Sequence, residues 1–239
     1  MSTFTDIRWL FFDIGSTLIN EEKASRDRVE QMARAFAERG AEVPPEAIAR
    51  ALEEASAEFA PSRVRRAAEK LAKSAEDAAF VVKRVKYRHE LEEPYPEAGE
   101  ALSALARRFM IGVIANQSPG AKARLKGWGL ARHISLCLSS AEAGLEKPDF
   151  AIFDLALEFA CCRPRQAVMI GDRLDNDIRP AKSLGWRTVR VLQGLGRFQS
   201  PRDAAEEPDL TVNTVMELPM LLGSGSAARP RLEECKRAG

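Results

Sequence analysis

The stretch Trp9-Leu10-Phe11-Phe12-Asp13-Ile14-Gly15-Ser16-Thr17-Leu18 decides how the chain is read. An apolar run of strand length stops at one carboxylate, and a Gly-Ser-Thr turn follows at once. A strand that is apolar at successive positions is buried on both faces, as in a parallel sheet. Asp13 then stands at the carboxyl edge of that sheet, where open α/β sheets bind ligands. Gly15 lets backbone approach whatever the carboxylate holds. A plain strand closed by a helix-capping Asp reads the same way locally, so the rest of the chain has to decide.

Beyond Asn20 the composition changes. Residues 21–93 are rich in Ala, Glu, Arg and Lys, with apolar positions at helical spacing. Val29, Met32, Ala33 and Phe36 lie on one helix face. Gly40 and Pro44-Pro45 end that helix and start the next, which carries Ile48, Leu52, Ala55 and Phe59. A third helical segment runs from Ser62 to Leu91. The charged exterior of this insertion reads as a solvated face.

Glu93-Pro94-Tyr95-Pro96 marks the return to the first domain. Helix and strand then alternate: a helix from Gly99, strand Phe109–Ala115 ending in Asn116, a helix to Trp128 and strand Ile134–Leu138. A loop, Ser139–Pro148, places Lys147 before helix Phe150–Phe159. Strand Ala167–Ile170 ends in Gly171-Asp172-Arg173-Leu174-Asp175-Asn176-Asp177, followed by a helix, strand Thr188–Leu192, strand Leu210–Val212 and a helix around Val215–Leu222. This alternation predicts an α/β fold: a doubly wound, Rossmann-like parallel sheet with an inserted α-helical cap domain. The expected domains are a core of residues 1–20 and 94–222, a cap of residues 21–93, and a flexible tail of residues 223–239.

The chain has 239 residues, enough for one core domain plus a large insertion, and 45% of them are apolar. With 36 basic against 35 acidic residues, there is no nucleic-acid footprint. No apolar run approaches the ~20 residues of a membrane span, and Asp13 interrupts the N-terminal one. Cys137, Cys161, Cys162 and Cys235 form no Cys-x-x-Cys pair and read as reduced thiols. A soluble, cytoplasmic protein is expected, with its oligomeric state open. His89 and His133 are lone histidines on or near helices and read as structural, as do Trp9, Trp128 and Trp186. Glu21 and Glu22 open the cap and offer a substitute acid, although the helix dipole accounts for glutamates at a helix start.

Asp13, Asn116 and Asp172 all fall at strand ends of one sheet, with Asp177 nearby and Lys147 on a loop at the same edge. Carboxylates that converge repel one another unless a cation sits among them. An all-oxygen donor set suits Mg²⁺, and a lysine adds a point charge for an anion. Together they describe a phosphoryl-handling site.

On these residues, in this order, the chain resembles the haloacid dehalogenase-like hydrolase superfamily over about residues 5 to 222. The resemblance implies that Asp13 is a nucleophile forming an aspartyl-phosphate. It implies Asp13, Asp172 and the Gly15 carbonyl as Mg²⁺ ligands, with Asp177 ligating directly or through water. Lys147 would hold Asp13 and the phosphoryl group, and Ser16, Asn116 and the backbone amides after Asp13 would cradle a small phosphorylated substrate.

Two departures stand out. The family's phosphatases carry an acid/base Asp two residues after the nucleophile, where this chain has Gly15. A hydroxyl residue usually precedes the Asn of the second motif, where this chain has Ala115, with Ser118 or Asn116 as a substitute. Three readings stay open: a phosphatase that favours acyl or aryl phosphates or borrows an acid from the substrate or cap, a slow broad-specificity phosphatase, or a weak catalyst that binds a phosphorylated ligand or a protein partner. The metal-independent dehalogenase branch, which carries an aromatic residue in place of Gly15, is less well matched, and the phosphonate-cleaving branch needs a desolvated cap lysine, whereas Lys23, Lys70, Lys73, Lys83 and Lys86 read as solvated.

Overall fold

The computed structural model describes residues 4–222. The tail expected at 223–239 and Cys235 lie outside the described residues. In chain order the elements begin with β1 (Trp9–Phe12) and β2 (Ile19–Asn20), then α1 (Glu22–Glu38), α2 (Pro45–Ala57), α3 (Arg63–Leu71), α4 (Ala75–Arg84) and β3 (Glu93–Pro94). They continue with α5 (Ala98–Leu105), β4 (Met110–Ala115), α6 (Ala121–Gly127), β5 (Leu136–Ser139), α7 (Ser140–Ala143) and α8 (Phe150–Ala160). The last are β6 (Ala167–Gly171), α9 (Arg179–Ser183), β7 (Arg187–Val191), β8 (Leu210–Val212) and α10 (Leu218–Leu222).

Six strands form a parallel sheet in the order β5-β4-β1-β6-β7-β8. β1 is central, with Trp9–Phe12 paired to Met110–Val113 on one side and to Ala167–Ile170 on the other. All four β1 side chains are buried, as an apolar strand covered on both faces requires. Alternate residues feed two clusters. Leu10, Phe12, Val168, Ile170, Val189 and Val191 pack with α5, α6 and α10, through residues such as Leu102, Leu125 and Leu218. Trp9, Phe11, Met169 and Ala167 pack instead with α8 and α9, through Phe153, Ala156 and Ala181. The result is a doubly wound α/β core.

By chain contacts the described residues divide into two compact units. One holds residues 4–19, 94–193 and 201–222, and the other holds Asn20–Glu93 with Gly194–Ser200. β2 and β3 pair as a two-stranded ladder. The second unit is helical, and α1 to α4 bury Met32, Phe36, Ile48, Leu52, Ala67 and Val81 against one another. The segment from Ser62 is two helices rather than one. Ser62 and Ser74 each cap a separate start by accepting the N–H of Arg65 and Asp77 at 3.3 and 3.1 Å. Leu195, on a short turn far along the chain, packs on this cluster, and its carbonyl accepts the Ser56 hydroxyl at 2.7 Å. Sequence reading assigned that turn to the core, since its partner in α2 is more than a hundred residues away.

Candidate active site

The site is built at the carboxyl ends of β1, β4 and β6, in the crevice at which strand order reverses. Asp13 directly follows β1, and its N–H donates to the Ile170 carbonyl at 2.8 Å, so the residue keeps sheet register one step past the strand. Asp172 directly follows β6 and is buried, at 3% exposure. Asp177 lies at the end of a wide helical turn over Leu174–Ile178 and is 1% exposed. Its carboxylate approaches the backbone of Gly171 so closely that a Cβ there would stand 2.3 Å from Oδ2. Glycine at 171 is therefore a spatial requirement of the site.

Lys147 reaches this point from the loop between α7 and α8. Its ammonium donates to Asp13 Oδ1 at 2.6 Å and to Asp177 Oδ1 at 2.5 Å, with its side chain only 2% exposed. Burial pushes this ammonium toward losing its proton, but Asp13 and Asp177 outweigh burial and hold it above the ordinary lysine range. For Asp177 the balance falls the other way: burial and the nearby Asp13 charge push its carboxyl up, against the pull of Lys147 and the Arg173 N–H. That N–H donates to Asp177 Oδ2 at 3.0 Å.

Asn116 explains how Lys147 is placed. Its Nδ2 donates to the Lys147 carbonyl at 2.7 Å, and its Oδ1 accepts the Lys147 N–H at 2.8 Å. The Asn116 carboxamide, expected to touch substrate, is bonded on both of its polar atoms to the main chain of Lys147. The loop after Asn116 is shaped by two residues that sequence reading missed. Ser140 Oγ accepts the Gln117 N–H at 3.1 Å, and Arg124 donates to Gln117 Oε1 at 2.7 Å and to the Pro119 carbonyl at 3.1 Å. The span read as loop from Ser139 contains the short helix α7, which presents Ser140.

In the turn after Asp13 the left-handed backbone lies at Ser16, with φ 54°. The N–H of Ser16 donates to the Ile19 carbonyl, and those of Thr17, Leu18 and Ile19 donate to the Ile14 carbonyl. The amides expected to cradle an anion are consequently used within the turn. Among the described residues, those of Ile14 and Gly15 are the loop amides without such a partner. Ser16 itself is 5% exposed.

Asp13, Asp172 and Asp177 can each present an oxygen such that all three lie within 4.8 Å of one another. Hard oxygen donors from clustered carboxylates match a small divalent cation. Arg173 is turned aside, with its guanidinium bound to both oxygens of Asp175. Cys137, Cys161 and Cys162 are free thiols, and burial raises that of Cys137. No helix among the described residues is long and apolar enough to cross a membrane.

With this geometry in hand, likeness to known proteins becomes informative. Over 127 residues the chain is 40% identical to phosphoserine phosphatase of Thermus thermophilus, a match covering 52% of this chain and 49% of that one. Over 135 residues it is 33% identical to glyceraldehyde 3-phosphate phosphatase of Methanocaldococcus jannaschii, covering 54% and 56%. The matched region thus spans about half the length of these curated relatives. Among solved structures, a predicted phosphoglycolate phosphatase from Haemophilus somnus 129PT superimposes with a TM-score of 0.67 at 19% identity. That match covers 91% of this chain and 98% of the other, and it speaks to the fold. The family model of haloacid dehalogenase-like hydrolases matches residues 7–185, which contain β1, Lys147 and the whole carboxylate cluster. The chain belongs to the haloacid dehalogenase-like hydrolase family.

Proposed function

We propose that the protein is a Mg²⁺-dependent phosphatase that works through an aspartyl-phosphate on Asp13. The observation that carries this reading is the buried Lys147 held between Asp13 and Asp177, at 2.6 and 2.5 Å, beside a third carboxylate, Asp172. Such an arrangement keeps Asp13 in place and supplies positive charge where a phosphoryl group would sit. Asp13, Asp172 and the Gly15 carbonyl would hold the ion, with Asp177 acting through water, since both of its oxygens already accept from the chain. When bound, the ion supplies charge neutralisation for the phosphoryl oxygens.

The Asp13 carboxylate attacks phosphorus, and the bond to the leaving oxygen breaks. Lys147 balances the charge that gathers on the transferring group. Gly15 offers no proton to the departing oxygen, and a general acid is worth about 10²–10⁴-fold. Acyl and aryl phosphates, whose leaving groups need no proton, are therefore the favoured substrates. The same gap leaves no side chain at position 15 to activate water, so the second step is slow relative to the first. The phosphatase names of the partial relatives support a small phosphorylated substrate. A soluble setting is in keeping with the composition.

Purified protein should release phosphate from acetyl phosphate and p-nitrophenyl phosphate in Mg²⁺, with alkyl phosphates far slower. Gly15→Asp should narrow that difference. A flat profile across leaving groups would remove the argument from Gly15. Binding of phosphorylated compounds with no turnover on any ester would favour the binding-protein reading.

A further inference from the structure

Asp177 is carried by the wide turn over Leu174–Ile178, and Arg179 closes that turn by donating its N–H to the Leu174 carbonyl. Such a turn holds one residue more than an α-helical turn and is uncommon. Slipping back to the α-helical form would rotate the chain by about 100° across the turn. The Asp177 carboxylate would then lose its bond to Lys147, so a hold from outside the turn is required.

The Arg179 side chain supplies that hold. Its Nη1 donates to Asp203 Oδ2 at 2.8 Å and to Glu206 Oε1 at 3.1 Å. Asp203 is half exposed, and a pair of that kind contributes little. Glu206 is fully buried in the loop ahead of β8. Its Oε2 accepts the Arg202 N–H at 2.9 Å, and Arg202 Nε donates to both of its oxygens at 3.0 and 3.1 Å. Burial would raise this carboxyl, but Arg202 and Arg179 outweigh burial and keep it below the ordinary glutamate range. A charged carboxylate fixed by its own loop is an immobile anchor for Arg179. Lys182, further along α9, ties the helix to the same loop by donating to the Glu207 carbonyl.

We propose that Arg179 and Glu206 are a positioning pair for Asp177: the ion pair pins the end of the wide turn and keeps that carboxylate on Lys147. The pinning stands on the contacts above, and its effect on turnover rests on the phosphatase reading.

Hydrogen–deuterium exchange of the metal-free protein reads the pinning. In Arg179→Gln the peptide spanning 174–179 should exchange about tenfold faster, while peptides from β1 and β4 match the wild type. With acetyl phosphate and Mg²⁺, kcat should fall about tenfold at little change in KM. Arg179→Lys keeps a cation within reach and should recover most of that loss. Glu206→Gln should lower kcat as well, although it removes a charge of the opposite sign. Lys182→Met should leave kcat near the wild-type value, because it cuts a tie that does not involve the residue closing the turn.

Wild-type exchange across 174–179 in Arg179→Gln overturns the pinning. Opposite changes of kcat in Arg179→Gln and Glu206→Gln would assign the effect to the field of the two charges. An equal loss in Lys182→Met would assign it to general anchoring of α9, and either result overturns the positioning role. If Glu206→Gln does not fold, Glu206→Asp takes its place: it keeps the charge and shortens the reach, so an unchanged kcat contradicts the proposal. The half-exposed Arg179 tolerates its own substitutions in any case. Absence of turnover in every protein, wild type included, would count against the phosphatase reading, and exchange would still decide the pinning.

Discussion

The sheet-edge cluster and the polar cluster inside the helical unit differ in what balances their carboxylates. In the helical unit the Tyr87 hydroxyl lies 2.6 Å from Glu21 Oε1 and 2.8 Å from Glu92 Oε1. His89 Nδ1 stands 3.0 Å from the same Glu92 oxygen, and the Arg28 guanidinium sits 5.0 Å from the centre of the tyrosine ring. Those acids are answered by hydroxyl, imidazole and a nearby cation from their own neighbourhood. At the sheet edge, three acids converge and Lys147 bridges two of them. The first arrangement shares a hydroxyl and an imidazole between its acids; the second shares one buried ammonium between two of three. Burial of charge alone does not mark function. The marker is burial of carboxylates that converge on one point at the strand ends.

The largest break in that contrast comes from Lys147→Met. It strands Asp13 and Asp177 without their shared cation. Phosphate release should fall by at least 10³-fold, and stability without metal should drop by about 3 kcal/mol in urea unfolding. Gly171→Ala comes next, because its methyl group would collide with the Asp177 carboxylate. A loss of about 10²-fold in kcat is expected from the displaced acid and lysine. Asn116→Ala removes both side-chain bonds to the Lys147 main chain. It should cost roughly tenfold in kcat with a small change in KM, and about 1–2 kcal/mol of stability.

The smallest effect should come from the helical cluster. Tyr87→Phe removes a hydrogen bond and should cost about 1 kcal/mol at neutral pH while leaving kcat unchanged. Burial, then Glu21 and Glu92, raise the Tyr87 hydroxyl far above the ordinary tyrosine value of 10.0. A group raised on folding contributes stability that is complete below its unfolded pKa and lost as pH climbs beyond it. The wild type should therefore lose melting temperature above about pH 10 more steeply than Tyr87→Phe. Parallel slopes in the two proteins would show that Tyr87 is solvated.

Much of the sheet was legible in the chain because β1, β4 and β6 carry no polar side chain and each is followed directly by a polar residue, Asp13, Asn116 or Asp172. Asp13, Asp172, Asp177 and Lys147 announced themselves by residue type at strand ends and on an adjoining loop. Other features depended on contacts made far along the chain. The seat of Leu195 on α2 crosses more than a hundred residues, and no local pattern carries it. The two hydrogen bonds between Asn116 and Lys147 are likewise visible only once β4 and the loop after α7 meet. The amides of residues 16–19 looked available for an anion until the turn closed on Ile14 and Ile19. Ser74 was readable as a helix start with acids in its first turn, but the surrounding charge obscured the break after Leu71.

The most direct test of the central claim is acid quenching of the protein during its first turnovers with acetyl phosphate and Mg²⁺, followed by peptide mass analysis. The account predicts one added phosphoryl group on the peptide containing Asp13, accumulating because position 15 offers no base for the second step, and none in Asp13→Asn. Phosphate release that proceeds with that peptide unmodified, or that persists in Asp13→Asn, would contradict it.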